Sequence, residues 1–117
     1  MAIDRRSEIT SNLQVVRDEI SKAVMGAGRS LDEITLIAVT KTFPASDVEI
    51  LRDLGVTDFG ENRDADAAPK AADVAGTWHF QGQIQSNKLK SITSWAHVIH
   101  SLDEIRHFEV IEKSAPH

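Results

Sequence analysis

The sequence predicts an α/β fold in which strand–helix units build a parallel sheet behind an N-terminal helix. Short apolar runs alternate along the chain with longer segments of helical periodicity. The first of these runs is nearly continuous and rich in β-branched residues, which is typical of a strand covered on both faces. The length of 117 residues suits a single domain spanning positions 1–117.

A long helix is predicted over residues 4–27. Its apolar residues recur every three or four positions and therefore lie on one face: Ile9, Leu13, Val16, Ile20 and Val24. Gly26 and Gly28 follow this stripe and supply the signal that ends a helix.

Four strand–helix units are predicted after this helix. The strands are expected at residues 34–40, 56–60, 77–82 and 95–101. The helices are expected from Pro44 to Gly55, at 63–75, at 84–93 and after Ser101, which has capping-box spacing with Glu104. Because strands alternate with helices, we expect a parallel sheet with right-handed crossovers.

Composition and charge exclude several classes of protein. The net charge of -5 argues against a general nucleic-acid binder, because phosphate contacts need a basic surface. The chain has no cysteine, which excludes disulfides and a thiol nucleophile. The polar start from Met1 to Ser7 is not followed by a long apolar run, so we expect no membrane span and a cytoplasmic protein.

Lys41 is the most unusual residue at the predicted strand ends, where functional residues of parallel α/β proteins gather. It directly follows the first apolar strand. Burial at such a place favours the neutral amine, which is the form that attacks a carbonyl carbon. Lys41 is therefore a candidate for forming a Schiff base. The alternative is a lysine whose charged end simply reaches water.

Asn62 and His79 are further candidates for ligand binding. Gly60 allows a ligand to approach the backbone, and Asn62 could donate to an oxygen of that ligand, or could equally cap the following helix. His79 lies between Trp78 and Phe80, so in a strand it faces away from both. The alternative for His79 is a core histidine that satisfies a hydrogen bond.

Metal and nucleotide sites are not indicated by the sequence. His97 and His100 are three residues apart in a predicted strand, so their side chains should point to opposite faces and should not share a metal. The chain also lacks a glycine-rich phosphate loop and a recognisable nucleophile–histidine–acid pattern.

Four segments together resemble the pyridoxal-phosphate homeostasis protein family, which is the YggS/PROSC-like family. They are residues 36–42 (LIAVTKT), 58–62 (DFGEN), 78–88 (WHFQGQIQSNK) and 95–103 (WAHVIHSLD). The segments occur in the family's order and extend over most of the chain, so the set is specific. Gln81 departs from the apolar residue commonly found at its position.

The resemblance implies half of a TIM-type barrel, like the N-terminal domain of alanine racemase. It implies that pyridoxal 5'-phosphate (PLP) is held as a Schiff base on Lys41, with Asn62 and His79 near the cofactor. It further implies a protein that binds PLP and keeps its free level safe without robust turnover. PLP-dependent apo-enzymes are the candidate partners.

The length of the chain leaves other functions open. A complete barrel takes about 250 residues, and its phosphate site usually comes from loops after strands seven and eight. The alternatives are a PLP-dependent racemase-like enzyme, which would need a second acid–base group, and a truncated fragment with no cofactor-binding activity. A half barrel would also expose edge strands and an apolar sheet face, so we expect the chain either to be a fragment of a longer protein or to self-associate and cover that surface.

Overall fold

The computed structural model describes residues 4–100 and 105–114 of the protein. Within these ranges, single 3-10 turns precede β1 and α4, at Leu31–Glu33 and Ser86–Lys88. The helices and strands follow one another along the chain as α1 (Arg5–Gly26), β1 (Ile37–Val39), α2 (Ala45–Asp53), β2 (Asp58–Glu61), α3 (Asp64–Asp73), β3 (Thr77–Phe80), α4 (Leu89–Trp95), β4 (Val98–Ile99) and α5 (Ile105–Ser114). The predicted α/β alternation is confirmed.

The four strands of the described region form one parallel sheet in the order β1-β2-β3-β4. Val39 lies opposite Gly60, Gly60 lies opposite His79, and His79 lies opposite Val98. These residues form one row across the sheet, and all four carboxyl ends lie along the same edge. Parallel strands in sequential order with intervening helices are the arrangement of half a TIM-type barrel, as predicted.

The hydrophobic core lies between the helices and one face of the sheet. Phe59, Trp78 and Phe80 are buried there. The rings of Phe59 and Trp78 are 5.2 Å apart, and Phe80 meets Trp95 edge-on at 6.1 Å. The Trp78 Nε1–H donates to the carbonyl oxygen of Val74 at 3.0 Å, so the indole is buried with its polar group satisfied.

The opposite face of the sheet, which we call the open face, has no covering layer in the part of the chain that the structure describes. Val39 is 53% exposed and Val98 is 37% exposed. The expectation that β1 is covered on both faces is therefore wrong, because the helices cover only one. The open face carries Ile37, Val39, Asp58, Gly60, His79 and Val98, so it is partly polar.

Some predicted boundaries differ from those observed. A strand is predicted from residue 95, but Trp95 instead ends α4, where its Nε1–H donates to Asp64 Oδ1 at 2.6 Å. This bond joins α4 to α3 and leaves only two residues for β4. The helix predicted at 84–93 begins with a 3-10 turn at Ser86. The predicted capping box of Ser101 and Glu104 lies outside the described residues.

Helix α1 packs beside α2. Its apolar stripe is only partly buried, since Ile9 and Leu13 are covered while Val16 is 44% exposed. The Arg5 guanidinium donates to both carboxylate oxygens of Asp47, at 3.1 and 2.7 Å, and this bond raises the pKa of Arg5. Neither α1 nor any other helix of the described ranges has the length and apolarity needed to cross a membrane.

Because the core lies on the helix side of the sheet, methyl groups there should contribute more stability than those on the open face. Val74 is fully buried, whereas Val39 is 53% exposed. We predict that Val74→Ala lowers the free energy of unfolding by about 2–3 kcal/mol. The control, Val39→Ala, should lower it by less than about 1 kcal/mol. Urea denaturation at a concentration at which the protein is monomeric measures both, and equal losses there would show that Val39 is buried within the single chain.

Candidate functional site

Lys41 and Asn62 lie at the ends of neighbouring strands and line one open concavity. Lys41 follows β1 after Thr40, and Asn62 directly follows β2. The concavity has a volume of about 570 Å³ and is lined by Lys41, Thr42, Asn62, Arg63, Ala65 and Asp66. The fold therefore brings together two of the three predicted binding residues.

A buried lysine that the sequence did not reveal fastens these two strand ends together. The Lys70 ammonium donates to the Thr40 carbonyl oxygen at 2.9 Å and to Glu61 Oε1 at 2.7 Å. Thr40 immediately precedes Lys41, and Glu61 immediately precedes Asn62. We call Lys70, Thr40 and Glu61 the lysine clamp. It fixes the backbone positions from which the Lys41 and Asn62 side chains extend.

The lysine clamp contains a buried ion pair. The Lys70 and Glu61 side chains are 8% and 0% exposed, and Asp66 Oδ2 lies 3.4 Å from the same ammonium. Within the described ranges, Glu61 Oε2 and Thr40 Oγ1 have no hydrogen-bond partner. Removing one member of such a pair leaves a buried charge uncompensated, at a cost of about 3–5 kcal/mol. Lys70 is therefore essential to the burial of Glu61.

The turn after β1 holds Lys41 on a strained backbone. The Phe43 N–H donates to the Thr40 carbonyl oxygen at 3.1 Å, which closes a four-residue turn with Lys41 and Thr42 at its centre. Thr42 has a φ of 69°, in the left-handed region that β-branched residues rarely adopt. Such a conformation costs about 1–3 kcal/mol and occurs preferentially at functional sites.

The Lys41 side chain is exposed, so the predicted desolvation of its amine is not found. The reason is that no second layer covers this edge of the sheet among the described residues. Lys41 makes no hydrogen bond or ion pair with the rest of the described chain. Lys70, in contrast, is held by three acceptors. Of these two lysines, Lys41 is thus the one whose amine is free to react.

Asn62 does not cap α3, which settles one of the alternatives for this residue. The residue that precedes α3 is Arg63, and no side chain caps the helix. Gly82 lies so close to Asn62 that a Cβ at position 82 would collide with the Asn62 carbonyl oxygen. The Gln81 N–H donates to the Glu61 carbonyl oxygen at 2.8 Å. The end of β3 therefore supports the Asn62 backbone, while the side-chain amide stays free for a ligand.

The same edge of the sheet is cationic. A second hollow of about 210 Å³ is lined by Asn62, Arg63, Asp64, Ala65, Phe80, Gln83, Gln85, Lys88 and Ile92. Arg63 and Lys88 are exposed and, like Lys41, have no ion-pair partner in the described ranges. The Asp66 carboxylate contacts the Lys70 ammonium, whereas the Asp64 carboxylate accepts from the neutral Trp95 indole and keeps its charge. Unpaired cations in a chain of net charge -5 favour an anionic ligand here.

His79 lines neither of these hollows. It lies on the open face, with Nε2 2.8 Å from Asp58 Oδ2 and Nδ1 2.9 Å from His100 Nε2. The hydrogen bond from His79 lowers the pKa of Asp58, with burial opposing the shift. His79 is thus buried with both ring nitrogens satisfied, as the alternative interpretation has it. A place for it near a cofactor stays a prediction.

The two histidines considered for a metal pair contact different partners. His97 Nδ1 accepts a hydrogen bond from the Trp78 N–H at 2.9 Å, whereas His100 contacts His79. Residues 4–100 and 105–114 contain no group of three or more side chains arranged to hold a metal ion.

Comparison with curated proteins shows a partial-length relationship. No family model matches the chain. It is 38% identical over 123 residues to the pyridoxal phosphate homeostasis protein of Mycobacterium leprae, which covers 95% of this chain and 48% of that protein. It is 41% identical over 106 residues to the protein of the same name from Escherichia coli, which covers 86% and 45%. The chain therefore spans about half the length of the curated relatives it matches.

Solved structures show the same fold. A crystal structure of an unknown protein from Bifidobacterium adolescentis matches with a TM-score of 0.82 and 30% identity, over 96% of this chain and 52% of that chain. The structure of PipY from Synechococcus elongatus with PLP bound matches with a TM-score of 0.67 and 30% identity, over 80% and 46%. Both support the half-barrel architecture.

The strain at Thr42 can be measured. We predict that Thr42→Gly raises the free energy of unfolding by about 1 kcal/mol, because relief of the left-handed strain exceeds the entropic cost of glycine. The matched control is Thr35→Gly at an exposed position without positive φ, which should lower the free energy of unfolding by about 0.5–1 kcal/mol. Chemical denaturation compares them. A loss of stability in both variants would contradict a left-handed Thr42.

Proposed function

This chain is a partial-length relative of the pyridoxal phosphate homeostasis proteins, and from that premise we propose that it binds PLP as a Schiff base on Lys41. One observation supports the choice of residue most directly. Lys41 offers a free amine in a concavity that it shares with Asn62 and Arg63. The role that follows is reversible storage of the cofactor, which limits its free concentration.

The residues at this edge fit such a cofactor. When bound, PLP supplies an electrophilic carbonyl carbon, which an unprotonated lysine amine attacks. The Arg63 guanidinium is exposed and unpaired in the described chain, and its fork of donors suits a phosphate. The Asn62 amide can donate to a ring oxygen. A volume of about 570 Å³ is in the range of known small-molecule sites.

Binding is better supported than turnover. The racemase-like alternative requires a second acid–base group that faces the cofactor opposite Lys41. Among the described residues that line the concavity, Asp66 is the acidic one, and its carboxylate contacts the Lys70 ammonium. We therefore propose a carrier, with residues 1–117 acting as one partial-barrel unit in the cytoplasm and PLP-dependent apo-enzymes as recipients. The exposure of Lys41 supports this role because water can hydrolyse the bond and release the cofactor.

Replacement of Lys41 tests the site directly. Lys41→Ala should abolish the imine absorbance band that appears when the protein is mixed with PLP. The matched control is Lys90→Ala, an exposed lysine on α4, which should leave the band unchanged. Borohydride reduction and peptide mapping should locate the cofactor on Lys41. An undiminished band in Lys41→Ala would refute the assignment.

Arg63 should contribute through the phosphate alone. A charge-assisted hydrogen bond is worth about 1.5–3 kcal/mol, so Arg63→Ala should weaken PLP binding by about tenfold or more. Pyridoxal without the phosphate should bind the parent and the variant equally. Titration of the imine band with each compound separates the two effects. A similar loss for both compounds would show that Arg63 does not recognise the phosphate.

We also propose that two copies associate through their open faces. Val39 and Val98 expose apolar surface there, and β1 and β4 are edge strands of the four-stranded sheet in the described region. Two such sheets would supply the eight strands of a barrel. Light scattering after size exclusion should show a dimer that Val39→Lys disrupts and that Met25→Lys, at an exposed position on α1, preserves. A monomer of the parent at high concentration would contradict this proposal.

A further inference from the structure

Asp58, His79 and His100 form a continuous hydrogen-bonded chain across the open face. The side chains of His79 and Asp58 are 8% and 16% exposed, while His100 is exposed. The His100 N–H donates to the Phe80 carbonyl oxygen at 3.0 Å, which fixes its backbone beside β3. The β1 residues on this face, Ile37 and Val39, have neutral side chains. The hydrogen-bonded series therefore runs from the shielded Asp58 carboxylate to the His100 ring, which is in contact with solvent.

The carboxylate fixes the direction of both hydrogen bonds. An ionised Asp58 can only accept, so the hydrogen at 2.8 Å belongs to His79 Nε2. Nδ1 of a neutral His79 must then accept, and His100 Nε2–H donates to it across 2.9 Å. The lowered pKa of Asp58 agrees with a carboxylate that stays ionised. The arrangement leaves the Nδ1 lone pair of His100 as the acceptor at the end of the chain.

We infer that these three residues form a proton relay in which Asp58 positions His79. A proton that binds His100 Nδ1 lets His100 Nε2 release its own proton to His79 Nδ1. One N–H bond breaks, another forms, and the positive charge comes to lie on His79 beside the Asp58 carboxylate. The two histidines cannot both be imidazolium ions at once, because the N–H groups at His79 Nδ1 and His100 Nε2 would then face each other across 2.9 Å.

Within the relay, whose role rests on the proposed function, His79 lies one row below the proposed cofactor site, while His100, two positions after Val98, lies in the same row as Asn62 and Lys41. His79 shares a row with Gly60 and Val39, and Asn62 and Lys41 follow these two residues by two positions. Two residues of a strand span about 6–7 Å and neighbouring strands lie about 4.8 Å apart, so His79 is offset from Lys41 by two residues and by two strands. Formation and hydrolysis of an imine on Lys41 both require proton transfer, which the relay can supply to and take back from solvent in the concavity at its open end, His100 Nδ1.

Nitrogen NMR of the imidazole rings in the unliganded protein tests the relay itself. At alkaline pH both rings should carry hydrogen on Nε2. On acidification the first proton should appear on shielded His79, and Asp58→Asn should move it to exposed His100. Asp53→Asn, at a surface position on α2, is the control that should change neither. A parent protein with hydrogen on His79 Nδ1, or with its first proton on His100, would overturn the inference whether or not Asp58→Asn folds.

The rates of cofactor exchange test what the relay does. Asp58→Asn should slow formation and hydrolysis of the imine by the same factor, about 100-fold, and leave the binding equilibrium unchanged. Unchanged rates of formation and hydrolysis, or a change in only one of them that shifts the equilibrium, would show that Asp58 is only structural and would contradict the role. If the parent forms no imine, the proposed function fails, whereas the NMR result still decides whether the relay exists.

Discussion

The Lys70 ammonium is the contact on which the site depends. It reaches from α3 to the ends of two neighbouring strands, where it neutralises Glu61 and donates to the Thr40 carbonyl oxygen. Without it, a carboxylate with no exposed surface would lack a counter-charge. Because the residues that follow Thr40 and Glu61 are Lys41 and Asn62, one buried contact sets both the stability of this edge and the geometry of the concavity.

The period-two alternation of the strands separates stability from chemistry. Phe59, Trp78 and Phe80 are buried against the helices and form the core. Their immediate neighbours Asp58 and His79 face the other way and form the polar contacts of the open face. A one-residue shift in register would exchange the two sets, so the same pairing that seals the core also aligns the hydrogen-bonded chain.

Local patterns were enough to predict a parallel sheet and the shared edge of Lys41 and Asn62, because parallel strands carry their carboxyl ends to one side, whereas the half-barrel arrangement came from the family resemblance. They did not reveal Lys70, because an Ala- and Asp-rich helix gives no sign that one lysine is buried between strand ends. The depth of that side chain depends on how α3 docks. Trp95 was assigned to the wrong element for a similar reason, since its bond to Asp64 spans 31 residues of sequence. Lys41 is exposed because no second layer covers this edge among the residues that the structure describes, and no local pattern encodes such a layer.

The most direct test of the lysine clamp separates its effect on stability from its effect on position. The double variant Lys70→Met with Glu61→Met removes both charges together, so its free energy of unfolding should stay close to that of the parent. The quantity to measure is the equilibrium constant for the imine on Lys41 in this folded double variant. We predict that PLP binding weakens by at least about tenfold, because Lys70 no longer joins Thr40 to Glu61 and the two strand ends keep only their backbone hydrogen bonds. Binding equal to that of the parent would contradict it.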